Sequence, residues 1–178
     1  MISEAVSAPR APRGRRNGLV PLASACWPES ADDRLPALPG FIESTFSPLV
    51  AAAAERCLQR VHGAPPVPAE RGARTALIIS SANGDVAMAA RVDEAVAGGP
   101  RLGPLHFFQA VPNAVAGHVA ARWGLGGPVV CLGSPRAAFD VATLLIADGD
   151  ADEALVICVS PSPVDGSMAL LVKGARDE

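Results

Sequence analysis

Residues 127–159, GPVVCLGSPRAAFDVATLLIADGDADEALVICV, decide how the rest of the chain folds. They read as a short apolar strand (129–132), a helix, and a second apolar strand (154–159). The helix carries its own punctuation, with Ser134 at the N-cap, Pro135 at the first position and Gly149 just past the end. Between those marks Ala137, Ala138, Phe139, Val141, Ala142, Leu144, Leu145, Ile146 and Ala147 occupy nearly the whole circumference, and Asp140 and Thr143 are the polar interruptions. A helix apolar all round is one buried on every side. Strand, helix and strand in this order make a parallel crossover unit, so the helix needs its own sheet on one side and a further layer on the other. Ala138, Phe139, Ala142 and Leu145 are the residues expected to meet that further layer as an interface.

Outward from this unit, a chain of 178 residues with 49% hydrophobic content can bury one sizeable core. The expectation is one domain over residues 18–178, preceded by a Pro- and Arg-rich tail, residues 1–17, that should be disordered. A first strand over 18–27 holds Pro21 at its beginning or on a sheet edge. A helix follows, capped by Ser47, with Pro48 in its first turn and Gly63 as its stop; Val50, Ala53, Ala54, Cys57, Leu58 and Val61 fall on one apolar stripe. After a Pro-rich connector, TALIISS (75–81) reads as a central parallel strand buried on both faces. Asp85 caps a helix over 86–97 that Gly98 and Gly99 end. Residues 106–111 read as a short extended piece, Pro112-Asn113 opens a helix closed by Gly124, and a strand over 166–172 comes last. The predicted architecture is α/β, a mixed and mostly parallel sheet with helices on both faces.

Composition excludes several functions. A net charge of -3 provides no global field for nucleic acid or an acidic membrane, and Lys173 is the lone lysine. The four cysteines, Cys26, Cys57, Cys131 and Cys158, form no CxxC pair, and the three histidines do not cluster near them. Reduced thiols in a cytoplasmic protein are therefore expected, with neither a metal site nor a disulfide framework. No cofactor is expected either: the strand, Gly84 turn and helix at 75–97 match neither GxGxxG nor GxxxxGK[ST]. No apolar run reaches transmembrane length. Arg15 and Arg16 ahead of GLVPLASAC imitate a secretory start, but Pro21 interrupts the short apolar segment. His118, alone on a helix of small residues, reads as a structural or interface residue rather than a base.

FFQAVPNAVAGHVAARWGLGGP (107–128) resembles the beta-ketoacyl synthases of fatty-acid and polyketide assembly. IADGDADEALV (146–156) is similar to that family's helix end and following strand. DGSMALLVKG (165–174) looks like a later strand, and TALIISSANGD (75–85) fits its second strand and turn. The resemblance covers about residues 47–174, and its specific part is 107–159. It implies the N-terminal half of a thiolase-like domain. The family places a nucleophilic cysteine at the tip between the strand after Gly-Pro and the buried helix, where the helix N-terminus lowers a thiol pKa. Counting back from Gly149 puts Leu132 at that position; counting forward from Gly127-Pro128 gives Arg136. Cys131 lies one place from the first count, and a one-residue shift in a strand turns a side chain to the opposite face. The family's two histidines belong to a C-terminal half with no counterpart in these residues, and His62, His106 and His118 match neither of them.

Three functions follow from the resemblance. The first is a non-catalytic ketosynthase-like subunit, acting by association much as a chain length factor does beside its synthase. Its partner would be a second copy or a ketosynthase-type protein, with an acyl carrier protein as a further one. The second is a half-sized acyltransferase with Cys131 as acyl-accepting thiol and His118 or a partner's histidine as base. The third is a module that binds an acyl chain or carrier protein without chemistry.

Overall fold

The computed structural model describes residues 18–99, 101–160 and 166–175. The tail expected at 1–17, most of the SPSPVD loop and the end of the charged exit lie outside these residues. The chain forms β1 (Leu19–Trp27), α1 (Phe46–His62), α2 (Ala69–Gly72), β2 (Thr75–Ser80), α3 (Val86–Val96) and α4 (Pro104–Ala110). Then come α5 (Pro112–Trp123), β3 (Val129–Leu132), α6 (Pro135–Ala147), β4 (Glu153–Ser160) and β5 (Gly166–Gly174).

The five strands lie in the order β1-β5-β4-β2-β3. The β3–β2 and β2–β4 ladders are parallel, while β4–β5 and β5–β1 are antiparallel. Four strands therefore run one way and β5 runs against them. Alternation along each strand sorts the core into two clusters. Leu77, Ile79, Leu155, Ile157 and Leu171 face α1 and α5, together with Phe41 and Trp123. Ala76, Ile78, Ala154, Val156, Leu170 and Val172 face α6. Because β2 is buried along its whole length, its continuous apolar run is the pattern of a strand covered on both sides.

Two local readings change. Residues 106–111 belong to a helix, α4, and not to an extended segment: Gly103 stands at its N-cap and Pro104 in its first turn, a start signal that a short apolar run obscures. At the start of α1, Ser47 is inside the helix and the capping group is Ser44, whose Oγ accepts the Ser47 N–H at 2.8 Å. Ser44 in turn donates its hydroxyl proton to Asp85 Oδ2, which ties the starts of α1 and α3 together. Asp85 caps α3 as expected, its Oδ1 accepting the Met88 N–H at 3.0 Å.

Candidate functional site

The site to test is the tip where β3 turns into α6. The approach to it is narrow: a Cβ on Gly127 would overlap the Thr75 carbonyl, so only glycine lets the chain pass against the start of β2. Pro128 then accepts the Leu77 N–H at 2.9 Å, and β3 runs in register with β2 from Val129 opposite Leu77 to Leu132 opposite Ser80. The chain turns at Gly133. Ser134 Oγ accepts the Ala137 N–H at 3.3 Å, and Pro135 begins α6.

Both positions counted for a nucleophile can now be placed. Leu132 is the last residue of β3 and packs with the α6-side core. Arg136 is in the first turn of α6 with its side chain 93% exposed. Cys131 packs against the other core, on the α1 and α5 side, as strand alternation requires. There its Sγ donates to Asn113 Oδ1 at 2.8 Å, and burial pushes the thiol up to about 11. At neutral pH the group is a protonated thiol directed at an amide oxygen, whereas the reactive form is the thiolate.

The histidines are dispersed. His118 on α5 meets the edge of the Phe41 ring, with centroids 6.0 Å apart and planes at 83°. His106 Nε2 lies 3.6 Å from Glu43 Oε2, and His62 Nε2 lies 3.6 Å from Glu153 Oε1. Cys131 and His118 are thus directed to different neighbours. Among the described residues no group of three His, Cys, Asp or Glu side chains is placed to hold a metal ion. Among them, too, no helix is long and apolar enough to cross a membrane.

α6 itself requires a correction. Ala138, Phe139 and Ala142, read as interface residues, are buried against the chain's own sheet and are not available to a partner; of the four named, only Leu145 is partly exposed. Two alanines on this face let the helix axis come close to β2 and β4. The opposite face carries Ala137, Val141 and Leu144 at offsets of four and three, of which Leu144, 58% exposed, is the open one; Ala137 is half-buried, Val141 packs on the α6-side core, and the charged Arg136 and Asp140 share this face. The exposure of Leu144, and the Asn113 contact of Cys131, are what sequence reasoning missed. The first needs knowledge of which face meets the sheet, and the second joins residues of separate elements.

A doubly covered sheet with a Gly-Pro approach, a strand-to-helix tip and an apolar helix behind it defines the N-terminal half of a thiolase-like domain. The chain belongs to the beta-ketoacyl synthase family: the family model "Beta-ketoacyl synthase, N-terminal domain" matches residues 11–173. No curated protein matches its sequence. Among solved structures it is similar to the ketosynthase ApeO in complex with its chain length factor ApeC from Xenorhabdus doucetiae, with a TM-score of 0.66 and 15% identity over 88% of this chain and 79% of that one. It is also similar to the ishigamide ketosynthase/chain length factor, with a TM-score of 0.63 and 18% identity over 79% of this chain. A third is AntDE:AntF, a type II acyl-carrier protein in complex with its ketosynthase bound to the hexaketide, with a TM-score of 0.58 and 16% identity over 74% of this chain. At these identities the likeness is one of fold. The chain spans about half the length, 47%, of each of the last two.

Proposed function

We propose that the chain is a cytoplasmic, ketosynthase-like subunit that performs no condensation of its own and acts by association with a ketosynthase-type protein in polyketide or fatty-acid-type assembly, in the manner of a chain length factor. The observation that carries this reading is the state of α6: its tip presents Leu132, Gly133 and Ser134 in place of a thiol, while its outward face exposes Leu144 beside the half-buried Ala137 and Val141. A helix that retained its surface for packing and has no nucleophile is suited to holding a partner. Two of the similar structures are ketosynthases with chain length factors, which supports the same assignment. The acyl-transfer alternative is disfavoured by the raised pKa of Cys131 and by the hydrogen bond its thiol donates to Asn113.

The test is co-expression with the ketosynthase of the same organism followed by size-exclusion chromatography and a condensation assay. Joint elution, lost in Leu144→Lys, with condensation dependent on the partner's own nucleophile, is the expected result. Separate elution of the wild-type chain, or acylation of this chain by an acyl thioester that Cys131→Ser abolishes, would overturn it.

A further inference from the structure

At the end of the sheet opposite the α6 tip, β2 and β4 begin side by side with Thr75 and Glu153. Glu153 is 4% exposed. Its carboxylate accepts from Arg71 Nε at 3.1 Å and Nη2 at 2.8 Å, and from the Thr75 hydroxyl at 2.9 Å. His62, the last residue of α1, brings Nε2 to 3.6 Å from Glu153 Oε1 with its side chain only 2% exposed, and that nitrogen has no hydrogen-bond partner among the described residues.

Arg71 and Glu153 already balance one another in this corner. A proton on His62 therefore adds an unbalanced positive charge to a buried place. The groups around the imidazole come from four directions: Arg71 from α2, Glu153 from β4, the neutral Thr75 hydroxyl from β2, and Lys173 of β5, which stands opposite Glu153 in the ladder but is exposed. Glu70 on α2 is exposed as well. Burial and then the Arg71 guanidinium push the His62 pKa below its ordinary value, and Glu153 offsets them only in part.

We propose that His62 is a pH-sensitive pin: neutral, it lets the end of α1 and α2 close over Glu153, and protonated, it opens that corner. The effect extends beyond α1. Arg74, three residues after Arg71, donates to the Gly149 carbonyl at 2.7 Å and to Asp152 at 2.9 Å, just past the end of α6. The segment from Arg71 to Arg74 thus clasps the starts of the strands from both faces of the sheet.

The sign follows from the lowered folded pKa. Stability is fully present above the unfolded value, about 6.5, and is lost as pH falls through that value toward the folded one. One proton weakens the folding equilibrium by up to about tenfold per pH unit in this window. Carboxylates, with unfolded pKa values near about 4, lose their contributions at lower pH. The experiment is urea unfolding of the full chain between pH 8 and pH 5, for the wild type and for His62→Gln, with the His62 ring titrated by NMR in the wild type. A midpoint that falls with pH in the wild type, a flatter profile in His62→Gln, and a ring that titrates below the ordinary imidazole value are expected. His106 and His118 are present in both proteins, so the difference between profiles belongs to His62. Identical profiles, or a ring titrating at or above the ordinary value, would overturn the proposal; if His62→Gln fails to fold, the ring titration in the wild type decides.

Discussion

Cys131 shows how one step along a strand changes what a side chain meets. A side chain at the last residue of β3 points toward α6, and the residue before it points toward α5, so the thiol faces the Asn113 amide and Leu132 occupies the tip. That alternation was legible, because the period of a strand is fixed at two. The Asn113 contact was not, since the two residues stand eighteen apart in sequence and meet only when α5 packs over β3. The consequence is measurable by alkylation. With its pKa raised to about 11, Cys131 holds far less thiolate at pH 7.5 than an unperturbed cysteine. Iodoacetamide labelling should be at least about tenfold slower than for an exposed model thiol, even after the greater intrinsic nucleophilicity of the rarer thiolate is counted. The rate should keep rising as pH increases toward the raised value. A rate at pH 7.5 equal to that of the model thiol would show that the thiol is not suppressed, and a faster one would show an activated group and restore the acyl-transfer alternative.

α6 was legible in its boundaries and illegible in its orientation. Ser134, Pro135 and Gly149 act through local backbone geometry, and the helix runs Pro135–Ala147 between them. Direction is another matter, because apolar residues on nearly the whole circumference blur which face meets the sheet. The sheet makes the selection: Ala138 and Ala142 are small enough to let the helix approach, and Phe139 fills the space beside them. The two faces should then respond differently to substitution. Phe139→Ala should cost about 3–5 kcal/mol through the cavity it leaves. Ala142→Leu should cost about 1–3 kcal/mol by overpacking against the strands. Leu144→Ser, on the outward face, should change the stability of the isolated chain by no more than about 0.5 kcal/mol. Urea unfolding of the three variants checks the assignment, and a large loss for Leu144→Ser would mean that the outward face is not open. α4 was missed for a related reason. Its apolar run is too short for periodicity to declare a helix, and Gly103-Pro104 ahead of it was the better signal.

For the molecule as a whole, the α/β class was readable from alternating elements, but the strand order was not. β2, β4 and β5 are buried on both faces, so their side chains carry no register or neighbour information. Only the assembled sheet shows that β4 lies beside β2 rather than beside β3. This order places α1 and α5 together on one face and leaves α6 on the other, with a partly apolar outer surface. The asymmetry links stability to association. Any partner that binds only the folded chain adds RT ln(1 + [L]/Kd), about 2.7 kcal/mol at a hundredfold excess over Kd, which for a domain of this size is about 5–11 °C in Tm. Thermal unfolding of the chain titrated with the ketosynthase should show that rise, and Leu144→Lys should abolish it while leaving the Tm of the isolated chain nearly unchanged. A Tm that climbs with the chain's own concentration in the absence of ketosynthase would assign the outward face to a second copy instead. Flat curves in both titrations would leave α6 facing solvent and remove the physical basis for a subunit that works by association.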